Sequence, residues 1–172
     1  MRIALLANLS VMVSVMFGQQ WLSALFAVAF VFSSGTGPPI SLDVNLTSRV
    51  LEVIQNNHVV KTYGIAIGRP SHPTPTGTFT TGDIEWNPSW TPPKADWAKN
   101  KKPQAPGAST NPLQGVKIYF RAPDYYIHGT NDPGSIGEAA SHGCIRMTAS
   151  DATELARLVE QAGGKLPLLI HK

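Results

Sequence analysis

The chain lacks a second cysteine. Cys144 is the only one in 172 residues, so no intramolecular disulfide can staple the fold, and the paired cysteines favoured by structural zinc sites are missing. A redox-sensing thiol would also want a resolving partner, and there is none. Charge is scarce: only 15% of residues are Asp, Glu, Lys or Arg, and none lies between Arg2 and Asp43. No Lys/Arg run and no basic patch interleaved with aromatics points to a nucleic-acid partner. The net charge of +3 falls to +2 without Arg2. So mild an excess suits an acidic polymer such as a cell wall and an ordinary soluble domain equally. No internal repeat is present.

The uncharged N-terminal stretch comes as two apolar runs, "IALLANLSVMVSVMF" and "WLSALFAVAFVF", separated by "GQQ" and followed by "SSGTGPP". Residues 1–37 are expected to be a signal peptide, with a cleavage site near Ala27-Val28-Ala29, or an N-terminal membrane anchor touching the bilayer through residues 3–32, plus a linker. Arg2 is the only early cation, so the domain over residues 38–172 is expected to be exported. No cysteine in this leader is available for lipid attachment.

Beyond Pro38-Pro39, "ISLDVNLT" alternates apolar Ile40, Leu42, Val44 and Leu46 with polar residues, which predicts a half-buried strand. "RVLEVIQ" and "VVKTYGIAIG" predict two more in an antiparallel meander, turning at Asn56-Asn57 with positive φ. A strand is expected over Thr78–Ile84, introduced by Gly77. From Glu85 to Pro112 there is no period, but three tryptophans (Trp86, Trp90, Trp97), several prolines and four lysines. That is the composition of a binding-site loop or of an insertion packed on a sheet. "GVKIYFR", "YYIHG" and the closing "LPLLIHK" read as strands. One helix is expected, capped by Thr148 with Asp151 three residues on, buried through Ala152, Leu155, Ala156 and Val159, and ended by Gly163. The fold class is mainly β with one late α-helix, α+β at most, sandwich- or barrel-like; a doubly wound α/β fold is excluded.

Cys144 lies in "SHGCIRM", beside a glycine and within two residues of His142 and Arg146, a polar setting expected to favour a thiolate. His128, closing "YYIHG", should point into a cleft while Ile127 points to the core, and so can serve as base. His142 is better placed to line the substrate or oxyanion pocket. Gly143 permits backbone that aims nearby amides at one spot. With no acid at an obvious spacing, the Gly129 carbonyl is the expected partner orienting His128. Arg146 can stabilise a thiolate or bind a carboxylate. Zinc held by His128, His142 and Cys144 would lack a fourth ligand, and a buried structural cysteine remains an alternative.

"YYIHGTNDPGSIGEAASHGCIRM", with "PTPTGTF" upstream, resembles the catalytic domain of the L,D-transpeptidases, YkuD-type cysteine enzymes of bacterial peptidoglycan. The resemblance covers roughly Ile40 to Ile170. It implies a mainly β fold, a catalytic set of Cys144 (nucleophile), His128 (base) and His142, and a substrate and oxyanion set of Tyr126, Gly129, Ser141, Gly143 and Arg146. Many family members carry Asn where this chain has Arg146. It also implies peptidoglycan stem peptides as partners, with release of terminal D-alanine and transfer to an amine, and no cofactor or metal. Water as acceptor would make the same site an L,D-carboxypeptidase; a wall-binding domain without catalysis would not need the thiol.

Overall fold

The computed structural model describes residues 39–172; the leader and linker expected over 1–37 lie outside the described residues. Strands β1 (Ile40–Asn45), β2 (Val50–Gln55) and β3 (His58–Gly64) form the antiparallel meander. Asn56 and Asn57 both take positive φ, 52° and 63°, the geometry of a two-residue hairpin turn matched to strand twist. Leu42, Val44, Leu51 and Val53 are buried in alternation with less buried neighbours.

The expected third strand, 59–68, stops early. Ile65 and Ala66 are both fully buried, so alternation fails there; Ala66 makes an isolated bridge to Arg146, and Ile67–Gly68 (β4) then pairs elsewhere. The strand expected over Thr78–Ile84 is two strands, β5 (Gly77–Thr80) and β6 (Ile84–Trp86). Thr81 explains the division. Its N–H donates to the Leu166 carbonyl at 2.9 Å, its hydroxyl accepts from Leu166 N–H at 2.8 Å, and Gly82 N–H then turns to the Tyr119 carbonyl at 2.6 Å. The chain leaves one sheet and enters another.

The remaining elements are β7 (Gln114–Arg121), β8 (Tyr125–Gly129), β9 (Ala139–Ser141), β10 (Ile145–Met147), α1 (Ala149–Gln161) and β11 (Pro167–His171). The first sheet runs β3-β2-β1-β11-β5, the second β10-β8-β7-β6, and β4 pairs with β9. The last strand lies parallel to the first, Leu42 opposite Leu168. Thr148 caps α1, accepting from Asp151 N–H at 3.1 Å, and Gly163 follows the helix at φ +100°.

One core joins both sheets and α1: Leu42, Val44, Leu168 and Ile170 from the first, Val116, Ile118, Ile127 and Ile145 from the second, Leu155 and Val159 from the helix. Each such side chain contributes about 1.5–3 kcal/mol by leaving water. The short strands β9 and β10 had no signal in the sequence, being too brief to show a period.

Candidate active site

The second sheet has two unlike faces, because side chains alternate with a period of two. Val116, Ile118, Ile127, Ile145 and Met147 point into the core. The intervening residues Lys117 and Tyr119 of β7, Tyr126 and His128 of β8, and Arg146 of β10 share the opposite face. Register places them: His128 lies between Lys117 on one side and Arg146 on the other, and Tyr119 is opposite Tyr126. Cys144 immediately precedes β10.

The turn that presents Cys144 is held from within. The Ser141 hydroxyl accepts from Gly143 N–H at 3.0 Å and donates to the Cys144 carbonyl at 2.6 Å. Gly143 has φ +113°, and a Cβ there would meet a Tyr125 ring carbon at 2.8 Å, so glycine is required twice over. Ser141, expected in the oxyanion set, sits fully buried beneath the turn as its clamp, and the Gly143 N–H is committed to it. Arg69, which sequence reasoning passed over, grips the preceding strand: its N–H donates to the Ser141 carbonyl at 3.0 Å and its guanidinium to the Ala140 carbonyl at 3.0 Å. Its only signal was an arginine ending an apolar strand before "PSHPTP".

His128 is buried, and its Nδ1 lies 2.8 Å from the Gly129 carbonyl. A carbonyl only accepts, so Nδ1 carries the proton and Nε2 keeps its lone pair. Gly129 itself must be glycine, since a Cβ would overlap the Gln114 carbonyl and stand 2.9 Å from Ala149 Cα. Burial pushes the His128 pKa down to about 4, aided by the Arg146 and Lys117 charges and opposed by the Gly129 and Pro112 carbonyls.

The expectation of a resting thiolate is corrected. Burial pushes the Cys144 pKa up to about 11, with the Asp124 charge adding to the rise; the Tyr126 N–H and hydroxyl and the Arg146 charge oppose it without overcoming it. The thiol donates instead to the Asp124 carbonyl at 3.4 Å. Tyr126 is the residue whose donors flank the sulfur, and its own pKa is raised, by burial first and then by Cys144. At neutral pH the thiol and imidazole are therefore both uncharged.

These groups floor a cleft of about 1060 Å³, walled by the segment after β6 through Trp90, Trp97, Lys101, Lys102 and Gln104 among others. The segment is not structureless. Asn111, fully buried, donates from Nδ2 to the Pro88 and Ala105 carbonyls at 2.9 and 3.0 Å, and its Oδ1 accepts from Leu113 N–H at 2.8 Å. Trp90 and Gln104 exchange backbone hydrogen bonds, and Asp96–Ala98 forms a 3₁₀ turn. That turn brings Trp97 flat onto His142, ring centroids 3.8 Å apart, with His72 edge-on at 5.0 Å. Burial and the nearby Arg69, His72 and Arg146 hold the His142 pKa down to about 4. Trp86 differs from its fellows. It lies opposite Val116 and donates to Glu160 on α1 at 2.8 Å, away from the cleft.

Thus Cys144, His128, His142, Tyr126, Ser141 and Arg146 all line one cleft, while Gly129 and Gly143 shape its backbone. Among the described residues no group of three or more His, Cys, Asp or Glu could hold a metal ion. A β domain built on two main sheets, with a thiol and a buried imidazole lining one cleft, defines the class. The chain belongs to the L,D-transpeptidase family: residues 39–166 match YkuD, the L,D-transpeptidase catalytic domain. It is 37% identical over 121 residues, 70% of this chain, to a Bacillus subtilis (strain 168) protein named "Putative L,D-transpeptidase YkuD", of whose length the match spans 61%. Among solved structures, an L,D-transpeptidase from Mycobacterium smegmatis shares the fold with a TM-score of 0.63 at 17% identity, covering 79% of this chain and 60% of that one. L,D-transpeptidase 3 from Mycobacterium tuberculosis, in complex with a faropenem-derived adduct, gives 0.62 at 17%, covering 79% and 61%.

Proposed function

We propose that this chain is an exported, cysteine-dependent peptidoglycan L,D-transpeptidase that acts on stem tetrapeptides. The observation that carries the reading is one cleft lined together by Cys144, His128 and Arg146, the last two being register partners on one sheet face and Cys144 immediately preceding that strand. Because thiol and imidazole rest neutral, proton transfer from Sγ to His128 Nε2 accompanies attack on the carbonyl of the third stem residue. The tetrahedral intermediate then collapses, the C–N bond breaks, and His128 returns the proton to the departing D-alanine amine. A thioester on Cys144 remains. An acceptor amine gives its proton to His128 as it attacks, and the thiol is restored as the new amide forms.

Tyr126, whose N–H and hydroxyl already flank the sulfur, and turn amides other than the committed Gly143 N–H are the donors for the developing oxyanion. The cleft carries Arg69, Lys101, Lys102 and Arg146 against Asp124 and a lysine-paired Glu85, a balance that attracts the carboxylates of a stem peptide. Residues 1–37 would deliver the domain to the outer side of the cytoplasmic membrane, with or without cleavage. The test is mass spectrometry of products from a purified tetrapeptide muropeptide. Loss of D-alanine with formation of cross-linked or amine-exchanged product is expected; loss of D-alanine with hydrolysis alone would make the chain a carboxypeptidase, and an unchanged substrate would remove the enzymatic reading.

A further inference from the structure

Among the described residues His128 has no acidic partner, yet an ion pair lies beside it. Lys117 is its register partner on β7, and Lys117 Nζ stands 2.7 Å from Glu85 of β6. The lysine side chain is 12% exposed and its carboxylate partner 47%. The ammonium also lies over the rings of Tyr119 and Tyr126, at 5.1 and 5.7 Å from their centroids, and Tyr126 packs edge-on against His128 at 5.4 Å. A buried lysine with so exposed a partner is a poor source of stability. Its place between Glu85 and the imidazole gives it another use.

We propose that Lys117 and Glu85 act as a positioning pair for His128, their net field setting how readily the ring accepts the thiol proton and how readily it returns that proton to the leaving amine. The proposal rests on the reaction assigned above. The amine stays charged over the working range: burial lowers its pKa, but hydrogen bonds to Glu85 and Tyr119 leave it raised overall. An imidazolium formed at His128 is thus faced by one cation from β7 and by Arg146 from β10. It is a weaker base and a stronger acid than an isolated ring. Glu85, behind Lys117, moderates the effect. The other groups around the ring do not supply this control: burial holds the Tyr126 and Cys144 pKa values up, so neither carries charge at neutral pH, and Asp132 acts on Arg146.

The pair makes opposed predictions for its two members, which a merely structural salt bridge does not. The measurement is the ¹³C chemical shift of labelled histidine in the full-length chain against pH, with the His128 signal assigned by loss in His128→Gln. Lys117→Met should raise the His128 midpoint by about one pH unit, as expected for removal of a neighbouring like charge. Glu85→Gln should lower it, and Lys117→Arg should restore the wild-type value. The acid limb of thiol acylation by a carbapenem should move in the same directions. Shifts of the same sign in both variants, or none in either, would overturn the proposal, and if one variant fails to fold the sign of the other decides. Opposed shifts in a chain that is never acylated at Cys144 would leave the field established and remove the transpeptidase reading instead.

Discussion

The floor and the wall of the cleft are built by different physics. The floor is a sheet face: Ile118, Ile127 and Ile145 bury one side of β7, β8 and β10, and the period of two then obliges Lys117, Tyr126, His128 and Arg146 to occupy the other. The wall has no period. It holds its shape through one buried amide, Asn111, and a stack of Trp97 on His142. Packing is expensive to disturb and positions groups firmly, whereas a polar hub over an open cleft can be altered without unfolding the domain. Chemistry should therefore depend on the floor and acceptor choice on the wall.

The largest expected effect breaks the floor's chemistry. His128→Ala should reduce acylation of Cys144 by about two to four orders of magnitude through loss of the base, measured per folded molecule; a chelator that mimicked this loss in the wild type would point to a metal instead. Ile127→Ala, one residue away on the other face, should do the reverse. It should cost about 2–5 kcal/mol of stability by denaturant melting, as a cavity in a joined core, while folded molecules keep their acylation rate per site.

On the wall, Asn111→Ala should cost about 1–3 kcal/mol by leaving the Pro88 and Ala105 carbonyls and the Leu113 N–H without their partner. Carbapenem labelling should stay near wild type while muropeptide products shift toward hydrolysis, since an acceptor amine must be held against water. Trp97→Ala should move products the same way with less loss of stability, and Trp86→Ala should not, because Trp86 faces α1. Equal loss of acylation and transfer in Asn111→Ala would show that floor and wall are one unit.

The smallest effect concerns pH. His128 has a pKa of about 4 folded against 6.5 ordinarily, so below pH 6.5 the unfolded chain takes up a proton that the folded chain refuses. Stability from this group is present above pH 6.5 and is lost as pH falls toward 4. His171, raised by its hydrogen bond to Asp43 at 2.9 Å, has the opposite sign: its contribution is present below pH 6.5 and fades as pH rises through its folded value. Melting temperatures of His128→Gln and His171→Gln against pH should diverge from wild type on the acid side, upward for the first and downward for the second.

The contrast between floor and wall also explains what the sequence disclosed. Alternation marked β1, β2, β7 and β8, and the amphipathic stripe marked α1, since each buries one face regularly. Strands of two or three residues such as β4, β9 and β10 carry no measurable period, and the break at Thr81 depends on a bond to Leu166, 85 positions away. At the site, the motif residues were visible because glycine, histidine and cysteine cluster in few positions. Arg69 and Lys117 were not, because each acts through a partner distant in sequence, and Asn111 was not, because it ties together a loop that has no period. The resting state of Cys144 was misread for a related reason: neighbours in sequence suggested a thiolate, but burial by the assembled cleft decides its charge.

In the proposed reaction Cys144 carries the acyl group. Intact-mass spectrometry of the full-length chain after exposure to a carbapenem tests it most directly, the strained carbonyl reporting thiol attack without need of an acceptor. One adduct per chain, mapped to the peptide containing Cys144 and absent from Cys144→Ala, is the predicted result. An adduct that persists in Cys144→Ala, or a wild-type chain left unmodified while correctly folded, would contradict it.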